Sequence, residues 1–490
     1  MAVVGPRALH QAHPRLIGHI ASEFNALADA TWLVTSYGLA QSASQPLYGK
    51  LSDIFGRRSN LVVSYSFFIV GCFICGIGNK YWQILAGRAI SGIGGAGMTA
   101  LVSIILTDMV PVRSVAAWRS YVNVAATVGR ALGGPVGGWL TDSVGWRWSF
   151  YGQCIPTFLG LVLVLWKLPS PAPVTGPDDS EGNEDQETSK FSRIDGIGAV
   201  VLAATISFFL LAVDSGTSGK PWPFVVATSL VFLVLLVAFY FVEKRWAKEP
   251  VLPIELLAKR DVWSTYLIAS LQIAAQFGVF YTVPIYFQIA SHKSVTAAGS
   301  RLIPAVVGNA TGGLLSGYII TKTGRYKHLT TLGSAAACVA YLLLILRWRG
   351  HHHPAELVYI FPGGFGSGVI QSTTFIHLAA CLDQSEIAIA GTSLYLSQNV
   401  GLLVGISLAT AVLHAKLRTN LNNDLDGFKH KVDIISRAES SIERIWDLPY
   451  AIQRIVVKAY VDSLLYAYAV SLCLAFIALL IGLFIRERKL

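Results

Sequence analysis

Three side chains in this 490-residue chain carry charge, or can carry it, where the neighbouring residues are apolar: Arg88, Arg130 and His377. A guanidinium at the centre of a hydrocarbon layer costs at least about 2.5–3.5 kcal/mol on insertion scales, so it needs a partner, water or a task. Arg88 and Arg130 are candidates for coupling to a substrate or a proton, against the plainer reading of snorkelling or pairing with backbone carbonyls. His377 joins them as a coupling candidate, since a histidine side chain can carry a proton near physiological pH, though a lone histidine is more often simply hydrogen-bonded. Polar residues at helical spacing form a second set. Gln272 and Gln276 lie one turn apart with Tyr281 beyond, while Gln371, Thr374 and His377 fall at i, i+3 and i+6 on one side of a helix. With Tyr37, Gln41 and Asn123 they are candidate cavity walls. None of this is covalent chemistry. No paired acids, Ser/His pair or converging metal ligands are visible at depth, so no enzyme activity, metal or cofactor is expected.

Several apparent motifs fail on context. Gly92-Ile93-Gly94-Gly95-Ala96-Gly97 fits G-x-G-x-x-G but lies in an apolar helix with no preceding strand, which argues against a dinucleotide. Cys72 and Cys75 form a C-x-x-C without further zinc ligands. Asn309-Ala310-Thr311 is a glycosylation sequon inside an apolar run. The absence of G-x4-G-K-[ST] argues against a built-in ATP engine.

The elements that must position these residues follow from composition. The chain is 53% hydrophobic and 13% charged, where soluble domains carry about 25% charged residues. Apolar runs recur at lengths that cross a bilayer as helices, which takes about 20 residues, and a helix satisfies its own backbone in lipid. The expected fold class is an all-α membrane protein with about thirteen spans. Residues 1–30 hold no spanning run; 31–166 hold five spans; 167–194 form a polar Pro/Gly/Ser/Asp/Glu linker. Residues 195–261 hold two extra spans and a basic loop, and 262–490 hold six more spans with an amphipathic loop at 416–458 that is expected to rest on a membrane surface. The net charge of +10 sits in loops, as positive-inside anchoring requires, and forms no stripe for nucleic acid. Two residues resist that orientation, Arg347 and Arg349, which fall on the outer side.

An internal repeat carries the mechanical meaning. Gly49, Asp53, Gly56 and Arg57, followed by Arg58, return at identical spacing as Gly317, Thr321, Gly324 and Arg325, each copy closing an apolar span. Repeated halves around a central site are how many secondary transporters achieve alternating access. Gly49-Lys50-Leu51-Ser52-Asp53-Ile54-Phe55-Gly56-Arg57-Arg58 resembles the cytoplasmic signature loop of the major facilitator superfamily. Leu85 to Gly94, with Arg88 inside it, resembles that family's fourth-helix arginine motif. Gly129-Arg130-Ala131-Leu132-Gly133-Gly134-Pro135-Val136-Gly137-Gly138 resembles its fifth-helix antiporter motif, where overlapping small-xxx-small spacings imply tight helix packing. With Trp146 to Tyr151, these motifs point to the fourteen-span drug:proton antiporter branch. The stretch from Arg119 to Gln153 looks most like fungal vacuolar basic amino-acid transporters and their multidrug relatives.

The resemblance implies the major facilitator fold: two pseudo-symmetric helical bundles with two extra central spans, and a substrate site between the halves. It implies proton-coupled antiport or efflux of small organic solutes, amphipathic drugs or basic amino acids, in a vacuolar or plasma membrane. The expected partners are the lipid bilayer, a small-molecule substrate and protons, with the protein monomeric. The family's first span, which bears an acidic residue, is expected just before a segment like Ile20 to Leu27 and is not found there. A gene sequence beginning after its true start accounts for that, and a non-transporting regulatory relative or inactive truncated product is the alternative.

Overall fold

The structure is a computed structural model; it describes residues 20, 23–24, 32–168, 196–217, 221–245, 254–293, 295–350, 353–426, 428, 431–440, 445–446 and 448–488. Among these, thirteen helices have 21 or more residues: α1 Trp32–Phe55, α2 Arg57–Ile77, α3 Tyr81–Met109, α4 Val112–Val144, α5 Arg147–Lys167, α6 Gly196–Thr217, α7 Trp222–Arg245, α8 Arg260–Ala290, α9 Ile303–Thr323, α10 Lys327–Arg347, α11 Phe361–Cys381, α12 Gln384–Asp424 and α13 Tyr450–Leu483. Nine helices among the described residues are long and apolar enough to cross a membrane by length and composition. No strand occurs among the described residues, which is the arrangement a backbone with no water to bond demands. Most of the expected linker at 167–194 lies outside the described residues.

The chain divides into two compact units, residues 1–265 with 375–397 and 490, and residues 266–374 with 398–489. In the first unit, α3 is the central helix and packs along both α1 and α2, while α2 also packs on α5, and α6 pairs with α7 and touches α1. Small residues make this possible. A Cβ added at Gly94 of α3 would fall 2.5 Å from the Ser64 carbonyl of α2, and one at Gly92 would fall 2.5 Å from the Tyr37 carbonyl of α1. Helices in lipid gain nothing from burying apolar surface against one another, so close backbone approach and dispersion supply the association.

In the second unit, α10 packs along α13, and the core is Val283, Tyr286, Phe287, Tyr341, Trp348 and Tyr468 with smaller neighbours. Tyr286 stacks on Trp348 at 5.0 Å between ring centroids. A Cβ at Gly401 of α12 would lie 2.6 Å from Ser270 Oγ of α8, and one at Gly405 would lie 2.5 Å from Ala274 Cα. Both glycines are there for contact.

The expected amphipathic loop is different in form. Helix α12 continues to Asp424, a further helix spans Lys431–Ser440, and α13 begins at Tyr450. Ile434, Ile435, Ile445 and Leu448 pack with Ile289, Leu417, Leu421 and Tyr460, so the apolar face is buried on helix ends of its own unit. Val432, within the expected loop, is 82% exposed.

Candidate functional site

The turn that joins α1 to α2 is built on Gly56, whose φ of 84° is a conformation that L side chains rarely adopt. Its counterpart Gly324, closing α9, has φ 68°. The repeat read from sequence therefore shares a positive φ at its second glycine, while the two turns differ in ψ, 156° at Gly56 and 8° at Gly324. The Gly56 turn aims Arg57 back across the end of the first unit. Arg57 Nη1 pairs with Asp53 and donates to Ser52 Oγ at 2.6 Å, while its Nε donates to Asp108 Oδ2 of α3 at 3.0 Å. One planar guanidinium thus ties the ends of α1 and α3 together, a geometry that arginine's fixed fork suits better than a lysine. Arg58 Nη2 donates to the Leu165 carbonyl of α5 at 2.7 Å.

In the second copy the acidic position is Thr321. Its hydroxyl donates to the Gly317 carbonyl at 2.8 Å, the Arg325 amide donates to Thr323 Oγ1 at 3.2 Å, and the Tyr326 amide donates to Glu487 at 3.0 Å. The glycine with positive φ is kept, and the turn's ψ and the charge pattern around it have changed.

The same end of the first unit receives residues 375–397, the α11–α12 turn and its flanks. A Cβ at Gly49 would meet Thr392 Oγ1 at 2.7 Å and the Ala388 carbonyl at 3.2 Å, so Gly49 is the seat for the start of α12. Lys259 Nζ reaches both carboxylate oxygens of Glu386 at 2.7 and 2.8 Å. A cavity of about 540 Å³ opens here, lined by Arg57, Thr107 and Asp108 on one side and Ala379, Asp383 and Ala388 on the other.

Arg88 is 3% exposed; its Nε donates to the Leu33 carbonyl at 3.0 Å and its guanidinium lies 4.5 Å from the Tyr37 ring centroid. That is the anchoring geometry of a charge held by a backbone carbonyl and an aromatic face, worth about 0.5–2 kcal/mol for the cation–π part. The expected cavity residue Tyr37 is its support, 2% exposed. Gln41 and Asn123 are partly buried. In the second unit Ser367 Oγ donates to Gln276 Oε1, Thr374 donates to the Ile370 carbonyl at 2.6 Å, and Tyr281 and Gln371 are partly buried. Gln272 is fully buried, and neither amide atom has a partner among the described residues. Of the expected polar wall, Gln272 is the member whose burial is not accounted for by its own unit.

The antiporter motif lies within α4, which runs unbroken through Pro135; the side chains of Arg130, Gly134, Pro135 and Gly138 lie outside the described residues. Gly129 and Gly133 are partly buried. Tight packing was expected along this stretch, and Gly137 does not show it: a Cβ there would meet nothing within 4 Å. The contact at this level is polar and made through the backbone, with Ser149 Oγ of α5 donating to the Gly137 carbonyl at 3.3 Å.

Three features were not legible in sequence. Asp108 appears there only as an acid near a span end, and it is 51 positions from the arginine it bonds. Arg119 of α4 places its guanidinium 3.6 Å from the Phe375 ring centroid and 5.6 Å from that of Tyr395, with Nε and Nη1 buried and unpartnered among the described residues; the available signal was an arginine beside an apolar run. Asp261, His377 and Cys381 come together with all three ligand atoms within 4.8 Å of one another. Arg347, which runs against the expected orientation, donates to Glu356 at 2.6 and 3.1 Å.

The family model described as Major Facilitator Superfamily matches residues 16–406. The chain belongs to the Major Facilitator Superfamily. It is a multi-pass membrane protein and a secondary transporter by that membership. It is 31% identical to the vacuolar membrane amino acid uptake transporter fnx2 of Schizosaccharomyces pombe, over 96% of this chain and 80% of the relative. It is 32% identical to the multidrug resistance protein fnx1 of the same yeast, over 93% of this chain and 85% of the relative. Vacuolar basic amino acid transporter 2 of Saccharomyces cerevisiae is 26% identical over 92% of this chain and 96% of its own. Among solved structures the proton:xylose symporter XylE aligns over 98% of this chain and 93% of its own, with TM-score 0.58 and 15% identity. That likeness carries the facilitator fold.

Proposed function

We propose that this facilitator exchanges protons for a small organic solute, with basic amino acids and amphipathic cations as the solute classes, in a fungal vacuolar or plasma membrane. The solute classes come from the printed names of relatives that align over most of the chain, an amino acid uptake transporter, a basic amino acid transporter and a multidrug resistance protein. The observation that carries the mechanism is the Arg57 fork on Asp53 and Asp108, facing a cavity whose other wall is the α11–α12 turn. In this reading the fork is a latch: its ion pairs hold the Asp53 end of the first unit closed, and breaking them lets that end open during alternating access. Closing energy of one to a few kcal/mol suits this task, because a ligand shifts a two-state equilibrium only by its differential affinity for the two states.

The test is flux in proteoliposomes holding the full chain under an imposed pH gradient, with labelled arginine and a cationic dye as solutes. Accumulation that follows the gradient and collapses with a protonophore is expected for at least one solute. A folded, monodisperse preparation that moves neither, or moves them regardless of the gradient, overturns the proposal.

A further inference from the structure

Asp261 stands in the first turn of α8, and His377 and Cys381 stand one turn apart at the end of α11. All three belong to the first unit. Their ligand atoms, a carboxylate oxygen, an imidazole nitrogen and a thiol sulfur, lie within 4.8 Å of one another. Cys381 Sγ is 3.7 Å from His377 Nδ1. In a tetrahedral zinc site with Zn–S about 2.3 Å, Zn–N about 2.0–2.1 Å and Zn–O about 2.0–2.2 Å, ligand atoms are separated by roughly 3.3–3.6 Å. The His–Cys pair is already at nearly that spacing, and the carboxylate needs only a rotamer-scale movement to complete three ligands. An i, i+4 pair on a helix presents both groups to the same side, so the two need no backbone change to share an ion.

The surroundings favour a cation. His377 is 1% exposed, while Asp261 and Cys381 are partly exposed, which leaves an approach from the helix ends. Lys259, two residues before Asp261, has its ammonium on both oxygens of Glu386. That pair ties the segment leading into α8 to the start of α12, which follows Cys381 by a short turn. Thr265 and Ser264 donate to the Asp261 carbonyl at 2.6 and 3.3 Å, which fixes the turn carrying the carboxylate. One nitrogen, one sulfur and one oxygen ligand is a borderline-soft set, suited to zinc and ill suited to magnesium or calcium.

We propose that Asp261, His377 and Cys381 form a three-ligand site for a divalent transition-metal ion, zinc above all, whose occupancy staples the first turn of α8 to the end of α11. The fourth position faces the approach from the helix ends and takes water. The site lies outside any role assigned to the Arg57 latch, and its test does not depend on transport.

The experiment uses the full chain, purified in detergent and stripped with a chelator, titrated with Co²⁺ and then with Zn²⁺. A near-ultraviolet thiolate-to-cobalt band and tetrahedral visible bands are expected at one equivalent, with Zn²⁺ abolishing both. The thiolate band is lost in Cys381→Ser, and half-saturation shifts up by about 10-fold or more in His377→Ala and Asp261→Asn; Cys473→Ser, at an exposed cysteine, leaves it unchanged. Because a variant can fail to fold, the unmodified protein supplies a second reading: saturating Zn²⁺ slows alkylation of Cys381, followed by peptide mass spectrometry, by about 10-fold or more, and leaves Cys473 unaffected. A band that survives Cys381→Ser and is lost when His351, His352 and His353 are replaced by alanine overturns the proposal, as does Cys381 alkylation indifferent to Zn²⁺.

Discussion

Replacing Arg57 by alanine tests the latch most directly. The guanidinium and its two carboxylates retain side-chain exposures of 26%, 33% and 38%, so each pair is screened by solvent and contributes about 0.5–1 kcal/mol. The hydrogen bond to Ser52 at 2.6 Å adds less, because the buried Ser52 hydroxyl keeps its own bond to the Gly49 carbonyl at 2.8 Å when the guanidinium is gone. The sum is about 1–2 kcal/mol, which corresponds to a 5- to 30-fold change in a two-state ratio. Hydrogen–deuterium exchange reads that ratio at the two walls of the cavity, residues 104–111 and 379–388. Arg57→Ala is expected to speed exchange at both by roughly 5- to 30-fold, the same factor by which the closed-to-open ratio falls. The peptide over α10, in the other unit, should not change. Arg57→Lys should fall between, since an ammonium reaches one carboxylate well but not two. Unchanged exchange at both walls in Arg57→Ala would refute the reasoning, because it would mean the fork holds nothing closed.

Two further outcomes follow from packing and burial. At Gly405 an added Cβ falls 2.5 Å from Ala274 Cα, about 0.9 Å inside ordinary contact, so Gly405→Ala is expected to cost about 1–3 kcal/mol through separation of α8 and α12. Gly38→Ala in α1 meets nothing within 4 Å and gains up to about 1 kcal/mol of helix propensity; melting temperatures in detergent should move in opposite directions, and the reverse order refutes the packing account. Gln272→Leu removes a buried amide with no partner among the described residues, so stability should hold or rise by about 1–3 kcal/mol while the flux defined above falls. A loss of both stability and flux would assign Gln272 to structure instead.

Much of the fold was legible because lipid leaves few options: apolar runs of spanning length must become helices, and nine of the thirteen long helices among the described residues have the length and composition of a span, against about thirteen expected. The Gly56 and Gly324 turns were legible too, since a left-handed backbone position selects for glycine and leaves a mark at fixed spacing. Arg88 was visible as a charge in an apolar run, but the Leu33 carbonyl that holds it was not.

Sequence alone determined which stretches become long apolar helices and where the repeated glycine turn falls. Tertiary structure alone decided which charges meet. Asp108 joins Arg57, Asp261 joins His377 and Cys381, Arg119 lies over Phe375, and Gly405 packs on Ala274 while Gly137 leaves room for a Cβ. The physical reason is range: helix propensity, hydropathy and turn chemistry act within a few residues and are written in order along the chain. A side-chain pairing between helices depends on how each helix is rotated against its neighbour, and that angle is set by all of the packing at once.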